Sequence, residues 1–265
     1  MFSLQELNRL AAQSRVVLKQ EPATTVEVLG QGPDAVVRKV YRNRGTRWLQ
    51  SFGRRSRAER EYDNLRAVER TGSACTRALG WSARRRLLCI EESTLITQFV
   101  PSSTPLKQVL ANLPRGGSAP ERRLLAAAAG QLLATLHRGG FLWCTPMPRN
   151  ILVLGAPAQG QLAVCDTPAG IDFGRSIRGT ALSTIDLFDA AFSPSRRRDF
   201  SATERFRWLL AYCAGDRQEV RRLWRIVAPR SVFAHDARRA LAMFWHTYIL
   251  LPLRRRRSHP QQSAT

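Results

Sequence analysis

The sequence has 265 residues and very little lysine: only Lys19, Lys39 and Lys107 interrupt a basic complement otherwise written as arginine. Cysteine is sparse too. Cys75, Cys89, Cys144, Cys165 and Cys213 are odd in number, widely spaced and never arranged C-x-x-C. That spacing argues against a disulfide framework or a zinc site and leads us to expect core thiols in a reducing cytoplasm. No stretch approaches the roughly 18 uninterrupted apolar residues of a membrane-spanning helix. Met1 to Arg15 lacks an apolar run with basic flanks and a small-residue cleavage site, so no secretory signal is expected. Aromatics interleaved among basic residues on strands, the usual RNA-reading pattern, are absent as well. Nucleic acid is therefore not expected as a specific partner.

What is present is an apolar fraction of 44%, enough for a packed interior, and a formal charge of +22. A field of that size draws a protein toward anionic membranes, lipid phosphates and other polyanions. The length fits one two-lobed domain or two small ones.

Along the chain, Leu4 to Ser14 reads as a helix. Strand-like segments follow at Val16–Lys19, Thr24–Leu29 and Ala35–Tyr41, the last two joined by the turn composition Gly30-Gln31-Gly32-Pro33-Asp34. Arg54 to Arg70 reads as a charged helix with Leu65 and Val68 on one face. Ala78–Ser82 and Leu95–Val100 read as two more strands. The Ala-rich run Glu121–His137 has leucines at helical spacing. Ile151–Leu154 and Gln161–Cys165 are short apolar strands, and Ser183 to about Leu253 reads as mostly helical. The arginine-rich tail from Arg254 has the composition of a disordered segment.

An ordered set of chemistry-bearing residues runs through this framework. Phosphoryl transfer needs a lysine on nucleotide phosphates, a carboxylate to hold it and magnesium ligands nearby. Lys39, in Val36-Val37-Arg38-Lys39 on the third strand, resembles the Val-Ala-Ile-Lys of kinases. Glu61, with Glu59 as the alternative, lies early in the charged helix. Thr135-Leu136-His137-Arg138-Gly139-Gly140-Phe141 resembles the run before a kinase catalytic loop. Pro148-Arg149-Asn150-Ile151-Leu152-Val153 resembles that loop's asparagine and the strand after it. Of the two candidate metal aspartates, Asp166 directly ends a strand. Asp172 spells Asp-Phe-Gly but lies farther on, beyond Pro168 and Gly170.

Together with Asp186-Leu187-Phe188-Asp189 and Ser201 to Tyr212, these motifs make the chain similar to the bacterial lipopolysaccharide kinase group, the Kdo and heptose core kinases, from about Val16 to Trp224. The resemblance implies an α+β, protein-kinase-like two-lobed fold. A small antiparallel-sheet lobe with one helix would span 1–100 and a mostly helical lobe 101–253, with a basic tail at 254–265. It implies ATP and Mg2+ as ligands, with Lys39 and Glu61 on the nucleotide and Asn150 and Asp166 on the metal. His137 would be structural. It also implies a lipopolysaccharide core or another lipid-linked acceptor and a cytoplasmic protein, peripheral at the inner membrane.

The chain departs from that group in two places. Five residues before Asn150, where kinases carry the aspartate that receives the substrate proton, stands Thr145. A hydroxyl cannot act as a base near pH 7, and about 10²–10⁴-fold in rate rests on such a group. Glu21-Pro22-Ala23-Thr24 occupies the phosphate-loop position without a glycine. The expectation is a pseudokinase or regulator. The alternatives are an active phosphotransferase and a basic protein that binds anionic lipid or nucleic acid. The apolar Leu241–Leu253, ending at four arginines, is a further candidate for membrane contact.

Overall fold

The structure is a computed structural model and describes residues 4–114, 120–193 and 198–228, with 237, 240 and 241 singly. Apart from Leu241, the expected apolar segment at Leu241–Leu253 and the basic tail therefore lie outside the described residues.

Helix α1 (Leu4–Gln13) leads into strands β1 (Arg15–Glu21), β2 (Thr24–Leu29) and β3 (Val36–Arg42), followed by the short helix α2 (Thr46–Leu49) and by α3 (Arg57–Arg70). Strands β4 (Ala78–Arg86) and β5 (Cys89–Gln98) complete an antiparallel sheet of order β1-β2-β3-β5-β4. Register places Lys39 between Val26 of β2 and Leu95 of β5, at the centre of the sheet. The charged helix starts at Arg57 because Ser56 caps it. Its side chain accepts from the Glu59 N–H while Glu59 returns a bond to the Ser56 N–H. Leu65 and Val68 are fully buried, as their spacing predicts, and Leu65 packs with Tyr41, Ala58, Ala78 and Leu95.

β4 runs four residues beyond the expected Ser82, and β5 begins six residues before the expected Leu95. The strand expected from the sequence ended before Arg84-Arg85-Arg86. Yet β4 is an edge strand, where charged side chains face water without cost to the core.

The remainder is mostly helical. β6 (Ser103–Pro105), α4 (Leu106–Asn112), α5 (Pro120–Arg138) and β7 (Phe141–Leu142) precede β8 (Ile151–Leu154), β9 (Leu162–Val164) and β10 (Ile171–Asp172). Then come α6 (Ser183–Leu187), a π-helical turn at Phe188–Phe192, α7 (Ala202–Tyr212) and α8 (Arg217–Val227). The main core gathers α4, α5, α7 and α8 around Trp143, Phe188, Phe192 and Trp208. β8 pairs antiparallel with both β6 and β9, and β10 with β7. These small ladders hold the loop of residues 143–150 beneath the sheet. The sequence pattern did not show the two- and three-residue strands β6, β7 and β10, which are too short to display a period.

Candidate functional site

Lys39 alternates inward from β3 and meets three oxygens. Its Nζ donates to Glu61 Oε1 at 2.6 Å and to the Cys165 carbonyl at 2.9 Å, and lies 3.5 Å from Asp166 Oδ1. The lysine side chain is 12% exposed and Glu61 not at all, so the pair is nearly dry. Tyr41, two residues along the same face of β3, donates its hydroxyl to Glu61 Oε2 at 2.6 Å.

Burial alone would lower the Lys39 pKa, but the Glu61 and Asp166 carboxylates outweigh it and hold the ammonium well above its ordinary value. Burial pushes Glu61 up, against the pull of Lys39. Burial also opposes the charge on Asp166, yet Lys39 prevails there and the carboxyl sits below its usual range. The neighbouring Cys165 thiol is pushed up to about 12 by burial, so it is neutral at pH 7.

The structure separates the paired alternatives. Glu59 caps α3 and pairs with Arg55 at 2.9 Å, leaving Glu61 as the carboxylate on Lys39. Asp172 accepts from Arg70 at 2.9 Å and caps the Gly174 N–H at 2.8 Å, so Asp166 is the aspartate brought to the lysine. β8 and β9 explain the meeting of Asn150 and Asp166. The Cys165 N–H donates to the Asn150 carbonyl at 3.0 Å, which sets the two residues at neighbouring strand ends. Asn150 donates its amide nitrogen to the Thr145 carbonyl at 2.9 Å, and among the described residues no protein donor reaches its Oδ1.

The loop bearing Thr145 is fixed from below. Asp186, fully buried, accepts from the backbone N–H groups of Trp143 at 2.6 Å and Cys144 at 2.7 Å. His137 lies between Asp186 (3.1 Å) and the Tyr212 hydroxyl (2.9 Å), in the interior role expected of it. Trp143 donates its indole N–H to the Asp166 carbonyl at 2.8 Å. On this rigid platform Thr145 Oγ1 is buried with no hydrogen-bond partner. Sequence reasoning missed Tyr41 and the double backbone clasp of Asp186. The strand alternation from Lys39 could have flagged the tyrosine. Nothing in the sequence pattern specifies the clasp.

Above Lys39 opens a cleft of about 310 Å³, bordered by Ala23, Val26, Lys39, Tyr41, Arg57 and Asp166. The β1–β2 connection, Pro22-Ala23, overhangs it without a glycine. The donor set suits a magnesium nucleotide: an ammonium for phosphates, and a carboxylate and an amide oxygen, both hard ligands, for the ion. Among the described residues no group of three His, Cys, Asp or Glu could hold a metal by itself.

No family model matches the chain, and no curated protein matches it in sequence. Solved structures do. WaaP, solved in complex with acyl carrier protein, is similar at a TM-score of 0.58 and 14% identity, over 89% of this chain and 90% of that one. With 1383 solved chains matching, the likeness speaks to architecture rather than to one activity. The fold is like that of WaaP, with an antiparallel amino-terminal sheet and a mostly helical carboxy-terminal part.

Proposed function

We propose that the protein is a nucleotide-binding pseudokinase of lipopolysaccharide-kinase-like fold, with lobes at 1–100 and 101–253. One observation carries this reading. Lys39 is charged and clasped by Glu61 within reach of Asp166, while the loop position that should carry a base holds the hydroxyl of Thr145. In this reading Lys39 meets the phosphates, and Asn150 and Asp166 hold the magnesium ion. The ion would neutralise phosphate charge when bound. Among the described residues, three carboxylates near the loop are committed elsewhere: Asp186 to the Trp143 and Cys144 amides, Asp172 to Arg70, and Asp166 toward Lys39.

A thermal-shift titration with ATP and magnesium tests the binding half. A ligand at about 100 times its dissociation constant stabilises by about 2.7 kcal/mol. The shift should vanish in Asp166→Asn and persist in Asp172→Asn; the reverse order would refute the assignment. The rival reading, an active phosphotransferase on a lipid-linked sugar, is favoured by the likeness to WaaP. Thr145→Asp separates the two. Transfer to a lipopolysaccharide-core acceptor that appears only in this variant supports the pseudokinase, and transfer by the unmodified protein removes it.

A further inference from the structure

The end of the sheet nearest the cleft carries an apolar tip that the fold does not use. β4 and β5 are joined by only two residues, Leu87 and Leu88, with φ of 49° and 62°. Two consecutive positive φ values mark a type I′ hairpin turn, whose favoured sequence is Asn-Gly; leucine is strained in both positions. Neither side chain gains burial in return, being 76% and 62% exposed. Strain without packing is a reason to look for a binding role.

Two more exposed apolar side chains stand beside the turn. Leu49 ends α2 and Phe52 follows it, 62% and 61% exposed. The turn and this segment are fastened together. The Gly53 N–H donates to the Leu88 carbonyl at 3.3 Å, and the Ile90 N–H donates to Ser51 Oγ at 2.8 Å. Arg85 bridges the Leu88 and Arg54 carbonyls at 3.2 and 2.8 Å. The two segments that carry the four side chains are therefore held together by hydrogen bonds.

Arg44, Arg84 and Arg86 share a hollow with Leu49, Arg85 and Arg54 lie at the turn, and Arg47 stands on α2 beside Leu49; all six are exposed. The nearby carboxylates are already engaged, Glu91 by Arg84 at 3.1 Å and Glu92 by Arg42 at 3.1 Å. We propose that this tip, Leu49, Phe52, Leu87 and Leu88 within their ring of arginines, docks the protein on an anionic lipid bilayer. The leucines and the phenylalanine enter the interfacial region, and the guanidinium groups meet lipid phosphates. A polyanion such as nucleic acid would satisfy the arginines but leave the leucines in water.

Orientation gives the contact a use. The Arg42 N–H donates to the Ala23 carbonyl at 2.9 Å, so the β1–β2 connection over the cleft lies at this same end of the sheet. Arg42 and Arg47 line the cleft as well. A docked protein thus opens its cleft toward the lipid surface. The proposal does not depend on nucleotide binding.

The test is co-sedimentation of the full chain with phosphatidylglycerol/phosphatidylcholine vesicles at about 0.15 M salt, where exposed charges are screened beyond about 8 Å. The informative variant is Leu87→Asn/Leu88→Gly, which keeps every arginine and gives the turn its preferred sequence. It should melt no lower than the unmodified protein and bind vesicles at least tenfold more weakly. Leu49→Ser/Phe52→Ser should weaken binding in the same direction. Lys39→Ala should leave vesicle binding intact even where it abolishes nucleotide binding, so the two readings fail separately. Equal vesicle affinity in the turn variant would overturn the proposal, leaving charge alone as the cause. So would a turn variant that abolishes self-association of the free protein while vesicle binding stays unchanged, since the tip would then be an interface between copies.

Discussion

Lys39→Met isolates the buried pair at the centre of the site. Methionine fills much of the lysine's volume and removes its charge, leaving Glu61 with Tyr41 as its remaining side-chain donor. Breaking one partner of a buried pair costs about 3–5 kcal/mol, because the other charge is stranded without compensation. That is a large part of the 5–15 kcal/mol that holds a typical domain together. Glu61 can escape part of the cost by taking up a proton. Burial already holds its pKa above the ordinary value with the lysine present, and losing Lys39 raises it further.

The sign of the pH dependence follows. An unfolded glutamate titrates near about 4.3. Between that value and the raised folded pKa, the folded variant binds more protons than the unfolded chain, so its stability falls as pH rises. The slope reaches at most about 1.4 kcal/mol per pH unit. Lowering the pH from about 7.5 to about 5.5 should therefore return stability to Lys39→Met relative to the unmodified protein. Urea denaturation at both pH values measures it. Lys39→Met/Glu61→Gln keeps an acceptor for Tyr41 and carries no stranded charge, so it should be more stable than Lys39→Met alone. A penalty below about 1 kcal/mol, or one that does not change with pH, would refute the reasoning.

Three other outcomes are expected. Asp186→Asn keeps one acceptor for the Trp143 and Cys144 amides but loses its charge and turns a donor toward the second, so urea denaturation should show a loss of about 2–3 kcal/mol. Gly130→Ala improves helix propensity in α5, yet its Cβ would run into the Trp208 carbonyl of α7. Overpacking should win, and the melting midpoint should fall by an amount equivalent to about 1–3 kcal/mol. Glu204→Ala strands Arg122, which bonds Glu204 Oε1 at 2.6 Å with both side chains 4% exposed, at a cost of about 3–5 kcal/mol by calorimetry. Burial opposes the charge on Glu204, but Arg122 holds its pKa low. The pair's contribution is therefore present above the ordinary glutamate range and lost as pH falls through the depressed value.

Residues whose roles rest on strand alternation and helix spacing were legible in the sequence. The buried face of α3 follows from its period of about 3.6 and the strands beside Asn150 and Asp166 from their apolar runs, whereas the role of Lys39 rested on its resemblance to the kinase lysine. The choice of Asp166 over Asp172 rested on the strand that directly precedes it, and the geometry has the same origin, since β9 delivers residue 166 to Lys39. The clasp by Asp186 and the approach of α5 to α7 at Gly130 were not legible. Both join residues more than forty positions apart through tertiary packing, where a local pattern carries no information. The extent of β4 was misjudged because an edge strand tolerates the arginines that a central strand would reject.

Three departures from the rules of local stability border the cleft or the sheet end above it, while others, such as the buried Arg122–Glu204 pair, lie elsewhere in the fold. A nearly dry ion pair, Lys39–Glu61, costs desolvation that an apolar pair would avoid. Thr145 and Thr167 bury hydroxyls without partners on either side of Asp166 in the fold's central loops. Leu87 and Leu88 hold a turn that Asn-Gly would hold with less strain. The ion pair lines one cleft, the threonines belong to the loops beneath it, and the leucines project from the sheet end that overhangs it. The scaffold around them is ordinary: capped helices, a continuous apolar core and engaged carboxylates. Under the proposed function, Thr145 would change what the cleft does with a nucleotide, because Lys39, Glu61 and Asp166 are still brought together at an energetic cost.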